Sequence, residues 1–158
     1  MATVAVDSRA QESFTTFFQD VEPRLRHALI AALGQERGRE ATSEALAYAW
    51  EHWDRIGPMD NPAGYLYRVG RSCGRVSWRR ERFNPAPAPG FPEMEPGLPN
   101  ALRSLSENQR IAVFLVHGMG WTRREVSDLL GISINSVGNH LERGLRKLRT
   151  ALGVRTDD

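Results

Sequence analysis

A chain of 158 residues and 17.8 kDa has room for one medium domain or two small ones. With 41% hydrophobic residues it can pack a core, which excludes wholesale disorder, while a formal charge of +2 is too mild to mark a nucleic-acid binder by itself. The single cysteine, Cys73, excludes an internal disulfide; with no signal-peptide pattern and no run of about 18 apolar residues, a cytoplasmic protein without membrane contact is the expectation.

Helical periodicity governs both flanks of the chain and no period-2 strand pattern interrupts it, so the predicted fold is all-α. The first helix is expected over about 12–33, carrying Phe14, Phe17, Phe18, Val21, Leu25, Leu29 and Ala32, with Pro23 as a point of division or kinking. Further helices are expected over about 39–55 and 63–82. Six of the nine prolines then fall within 83–100, FNPAPAPGFPEMEPGLPN, a stretch that favours extended conformations and cannot continue a helix. It reads as a linker over 83–99 joining two small helical domains, 11–82 and 100–153, with a reach of roughly 55 Å. In the second domain Ser106-x-x-Gln109 and Thr122-x-x-Glu125 each match a capping box, placing helix starts at 107 and 123. Ser133 caps a last helix from Ile134 to about Leu152.

Of the 21 basic residues all but Lys147 are arginine, and their placement is uneven. Arg68, Arg71, Arg75, Arg79 and Arg82 follow at spacings of 3, 4, 4 and 3, which stacks them on one helix face opposite Leu66, Val69, Cys73 and Ser77. Segment 65–82 carries six arginines against one acid, Glu81. Solvated helix surfaces usually interleave acids at i,i+4, so a bare stripe asks for a polyanion to neutralise it. Tyr65, Tyr67 and Trp78 flank the stripe, where they either stack on exposed bases or simply pack.

Residues 122–149, TRREVSDLLGISINSVGNHLERGLRKLR, read as a helix-turn-helix. Val126, Leu129 and Leu130 form an inner face, and Leu130-Gly131-Ile132-Ser133 a tight turn with Gly where positive φ is needed. Ile134, Val137, Leu141, Leu145 and Leu148 are expected to point inward in the next helix. The opposite face carries Ser136, Asn139, His140, Arg143, Arg146 and Lys147, with Arg124 on the preceding helix. Short polar groups near a helix N-terminus suit base edges in the major groove, and later cations suit phosphates. A hairpin that merely packs explains the apolar spacing but not the cations. The second predicted helix gathers Glu40, Glu44, Glu51 and Asp54 on one face, by default simply its wet side.

The order of these elements, an acidic tryptophan-rich helix, an arginine-striped helix, a proline-rich linker and a helix-turn-helix, resembles the extracytoplasmic-function (ECF) group of bacterial RNA polymerase sigma factors. Residues 40–80, EATSEALAYAWEHWDRIGPMDNPAGYLYRVGRSCGRVSWRR, are similar to that family's region two, and 101–149 to its region four. The resemblance implies that Glu40, Glu44 and Glu51 dock on core polymerase at the β′ clamp helices. It implies that the loop 55–62 with Tyr65, Arg68, Arg71, Arg75, Trp78 and Arg79 serves the −10 element. Arg124, Ser136, Asn139, His140, Arg143, Arg146 and Lys147 would serve the −35 element. Implied partners are core polymerase including its β subunit, promoter DNA and, where one exists, an anti-sigma factor; no cofactor and no metal are implied. The chain departs from the family's usual residues at Glu40, Ser43, Tyr65, Ser72, Val76, Ser106, Gly138 and His140.

Three rival readings stand beside this one. A helix-turn-helix regulator of sigma-like or LuxR-like type would bind duplex DNA without polymerase. A regulatory protein could use the acidic helix for a partner and touch DNA weakly. An enzyme would have four histidines, one cysteine and scattered carboxylates as raw material, but none falls into HExxH, a nucleophile elbow or a Walker loop, so no catalytic activity is expected.

Overall fold

The computed structural model describes the backbone of residues 2–76 and 96–154, with side chains described over 8–73 and 96–154. Every regular element among them is helical. The first half comprises α1 (Ala2–Leu33), α2 (Gln35–Glu51), the short α3 (Trp53–Ile56) and α4 (Pro62–Val76). The second comprises α5 (Leu98–Ser104), α6 (Glu107–Val113), a π-helical turn (Phe114–Gly118), α7 (Arg123–Leu130) and α8 (Ile134–Ala151).

Helix α1 begins ten residues earlier than apolar periodicity suggests, and it runs through Pro23 without a break. Proline removes one backbone donor there, but Val21, Leu25, Ala28 and Leu29 on the same stripe are buried, and that packing carries the helix past the missing bond. The second predicted helix divides at His52 into α2 and α3. Ala41, Ala45, Leu46 and Ala49 press α2 onto α1, and their small size lets the backbones approach closely. Helix α4 crosses both, burying Leu66 and Tyr67. Each fully buried side chain of this size stabilises the fold by about 1.5–3 kcal/mol.

Both predicted capping boxes form. Ser106 Oγ accepts from the Gln109 N–H while Gln109 Oε1 accepts from the Ser106 N–H, and Thr122 and Glu125 reciprocate in the same way. Glu125's carboxyl is thereby held below the ordinary carboxylate range, first by the Thr122 backbone N–H, with Arg24 adding to the effect. Ser133 Oγ accepts from the Ser136 N–H and starts α8. Between α7 and α8, Gly131 takes φ 67°, a left-handed turn that a side chain would strain. This turn sets the angle between the two helices and so aims α8.

Ile134 and Cys73, both expected inside, lie outside, as does Phe18. Ile134 is 39% exposed because it occupies the first position of α8, ahead of the first inward contact at Val137. Cys73 is exposed because the packed part of α4 ends at Gly70, whose backbone sits against Leu29 and Ala41.

The halves do not stand apart. α4 packs against α7, and α1 against α6 and the π-helical turn, so one apolar cluster runs from Val21 to Leu148.

Candidate nucleic-acid interface

Helix α8 is amphipathic in the sense its sequence requires. Val137, Leu141 and Leu148 are buried, and Gly144 lies so close to α6 that a Cβ there would come 2.8 Å from Val113 Cγ2. Asn139, Arg143, Arg146 and Lys147 are exposed on the other face, and His140 is half-buried beside them. Arg124 is exposed on α7. Five of the seven −35 candidates therefore lie on the outer side of α8, and Arg124 is accessible on the preceding helix. Ser136 differs: its backbone N–H donates to Ser133 Oγ and its hydroxyl lies 2.9 Å from the same atom, so it shares in the helix start. Sequence periodicity did not single out Glu142, which pairs with Arg146 at 3.0 Å on the exposed face. With both side chains exposed, such a pair yields readily to a phosphate.

On the first half, Arg68 is exposed on α4 and Arg71 half-buried one turn further on. Tyr65 is half-buried, its hydroxyl 3.5 Å from that of Tyr48, which accepts from Arg55 Nη2 at 2.6 Å. The facing Tyr65 hydroxyl, with Arg55 adding, lowers the Tyr48 pKa below the ordinary tyrosine value, and the same contact raises that of Tyr65. Tyr67 is buried and belongs to the core, which removes it from any stacking role. The side chain of Arg75, and Trp78, Arg79 and Arg82 entirely, lie outside the described residues, as do most of the proline-rich segment and the outer end of the arginine stripe.

Glu40, Glu44 and Glu51 are all exposed along α2, with Asp54 following on α3. Beside them Trp50 is 46% exposed, its ring centroid 5.0 Å from Phe14, and Phe18 is 40% exposed. The acidic face thus carries an aromatic flank, which a helical wheel places among the apolar residues and not at the surface. Among the described residues no group of three or more His, Cys, Asp or Glu side chains is placed to hold a metal ion. No described helix is long and apolar enough to cross a membrane.

Sequence reasoning also missed the partners of the first-half cations. Arg71 Nη2 meets Glu107 Oε2 of α6 at 2.6 Å. Arg24 Nη2 meets Glu125 Oε1 of α7 at 2.6 Å and its guanidinium lies 4.8 Å from the centre of the Trp121 ring. Asn61 Nδ2 donates to the Asp128 carbonyl at 2.6 Å, and Arg110 Nε donates to the Ala31 carbonyl at 2.9 Å. No spacing rule connects such distant positions.

An all-helical chain whose second half is a helix-turn-helix with a cation-rich, outward-facing last helix has the construction of a helix-turn-helix DNA-binding protein. Residues 97–148 match the family model for Sigma-70, region 4. Two RNA polymerase sigma-E factors are similar over 125 residues: that of Streptomyces antibioticus, 27% identical over 72% of this chain and 69% of its own, and that of Streptomyces coelicolor, 29% identical over 72% and 71%. Among solved structures, the sigma factor RpoE of Bartonella quintana, in complex with the anti-sigma factor NepR, superposes with a TM-score of 0.65 at 20% identity, covering 89% of this chain and 97% of that one. The chain resembles the ECF sigma factors in sequence, and it shares the RpoE fold.

Proposed function

We propose that this protein is a transcription initiation factor of the ECF sigma type, which binds core RNA polymerase and directs it to promoters. The observation that carries the reading is α8. A recognition helix held by Gly131 and the Ser133 cap presents Asn139, Arg143 and Lys147 to solvent, with His140 half-buried beside them, within a segment that matches Sigma-70 region 4. In this reading α8 lies in the major groove of the −35 element, its first turns facing base edges and its later cations the phosphates. Residues 11–82 form the half that engages polymerase and the −10 element, and 83–99 connect it to the −35 half at 100–153. Arg68 and Arg71, continued by Arg75 and Arg79, hold the −10 backbone, with Tyr65 and Trp78 placed to stack on unpaired bases. Glu40, Glu44 and Glu51 dock on the β′ clamp helices, and Trp50 supplies an apolar contact beside them. The protein makes and breaks no bond; its contribution is binding energy that recruits polymerase and stabilises strand separation. As with sigma-type relatives, an anti-sigma factor is a further partner to be sought.

The test is co-purification with core polymerase followed by promoter-dependent run-off transcription. Stable association and a discrete transcript are expected. Absence of both with folded protein overturns the reading, and dimeric binding to a palindromic duplex without polymerase would put a stand-alone regulator in its place.

A further inference from the structure

The half of α8 that the proposed function turns toward base edges lacks the side chain best suited to reading them. Residues 134–142 contain no Lys or Arg and one acid, Glu142; the first cation of α8 is Arg143. Arginine makes the commonest specific contact to a duplex, bidentate to O6 and N7 of guanine, and nothing in 134–142 offers that fork. Helix α7 brings one from the side. Arg123 is exposed at the first position of α7, directly after the Thr122 cap. Its Nη1 lies 3.7 Å from the position a Cβ on Gly138 would take, and apart from adjoining backbone it is the only described atom within 4 Å of that point.

A cation at a helix N-terminus opposes the positive end of the helix dipole, so α7 itself gains nothing from Arg123. Arg24, Arg26, Arg71 and Arg146 each meet a carboxylate of this chain, whereas Arg123 forms no ion pair among the described residues. Its root is nevertheless well fixed. The Thr122–Glu125 capping box anchors the start of α7, and the left-handed turn at Gly131 sets α7 against α8. Gly138 leaves α8 bare at this level, so the guanidinium reaches the helix surface next to Asn139; a long side chain at 138 would crowd it away. We propose that Arg123 is a base-reading residue of the −35 interface, supplied by α7 across the bare surface at Gly138, and that it selects a G·C pair. The inference rests on the functional reading above and adds to it a specificity determinant that lies outside the recognition helix.

The probe is a pool of duplex DNA with a randomised central segment. It is selected by the full chain, alone and bound to core RNA polymerase, and by variants shown to be folded by circular dichroism. The wild type should enrich a motif that contains at least one G·C pair. Arg123→Ala should lose the preference at one such pair by roughly 5- to 150-fold and keep the rest of the motif. Lysine also reads guanine, and it favours a helix over glycine, so Gly138→Lys added to Arg123→Ala puts a cation back at the same level. The lost preference should return at the same pair. A loss spread evenly over all sequences, with the salt slope lowered by about one, would make Arg123 a phosphate contact and overturn the base reading. A lost preference that Gly138→Lys does not restore overturns its placement beside Gly138. The two claims separate in the selection itself. A wild-type motif that Arg123→Ala leaves intact overturns this assignment alone, whereas a wild type that enriches no sequence, with or without polymerase, overturns the functional reading as well.

Discussion

Gly138 and Gly144 lie on the same helix, and alanine at the two positions should act in opposite directions. Within a helix, alanine is favoured over glycine by about 1 kcal/mol, a gain common to both sites. At Gly138 the nearest neighbour of an added Cβ is Arg123 Nη1 at 3.7 Å, the mobile end of an exposed side chain, so nothing opposes that gain. At Gly144 the Cβ would stand 2.8 Å from Val113 Cγ2 and 3.4 Å from the Gln109 carbonyl. Val113 is buried and β-branched, which leaves it no easy rotamer to retreat to. Overpacking of this kind costs about 1–3 kcal/mol. Because the propensity term cancels between the variants, their difference isolates the packing of α8 on α6. Gly144→Ala should therefore unfold about 1–3 kcal/mol more readily than Gly138→Ala, roughly 2–12 °C in Tm for a chain of this size. Thermal unfolding of the full chain, followed by helical circular dichroism, measures it. A Gly144→Ala protein that melts at or above Gly138→Ala would refute the close approach of these helices.

Further consequences concern DNA and pH. Arg71→Ala with Arg75→Ala should weaken DNA binding for every sequence and flatten the salt dependence by up to about two units, read from affinities over a salt series; an unchanged slope would return the stripe to an ordinary wet surface. Asn139→Ala should change preference at particular base pairs by about 1–3 kcal/mol in competition with base-substituted duplexes, whereas Lys147→Ala should lower affinity evenly. A uniform loss for Asn139→Ala would argue against base readout. Glu125's folded pKa is depressed, so its contribution is present above the unfolded carboxylate value and is lost as pH falls through the folded one. The stability gap between wild type and Glu125→Gln should accordingly be full at neutral pH and close on acidification below the ordinary carboxylate range. A gap independent of pH would show that the charge on Glu125 is not what holds the α7 cap.

Most of the second half was legible because its signals are local. Ser106 and Gln109, Thr122 and Glu125, and Ser133 mark helix starts through hydrogen bonds three residues long, and each forms where the pattern puts it. Gly131 announces the turn because only glycine takes positive φ without strain. Errors arise where local preference competes with packing. Pro23 reads as a break, yet α1 continues because its buried stripe outweighs one lost hydrogen bond. Ile134 fits the inward period but precedes the first packed turn, and Trp50, placed among the apolar residues by the wheel, sits at the surface beside Phe14. Tyr67 and Tyr65 are two residues apart and looked alike as stacking candidates; which of them is buried depends on where α1 and α2 lie, and no sequence period carries that.

The arginine stripe shows the limit of charge reasoning most clearly. Cations at i,i+4 without interleaved acids read as asking for an external polyanion, yet at Arg71 the anion is Glu107 of the same chain. What spacing cannot supply is the anion's address, since a partner 36 residues away leaves no periodic trace. A near-neutral total charge pointed to the answer without resolving it. Residues 101–158 hold 9 basic and 6 acidic residues, and two of those acids, Glu107 and Glu125, face cations of the first half. The chain thus supplies from its second half the anions that two first-half cations meet. Because a carboxylate and a phosphate satisfy a guanidinium through the same charge-assisted geometry, a phosphate at Arg71 Nη2 would compete with Glu107 for it.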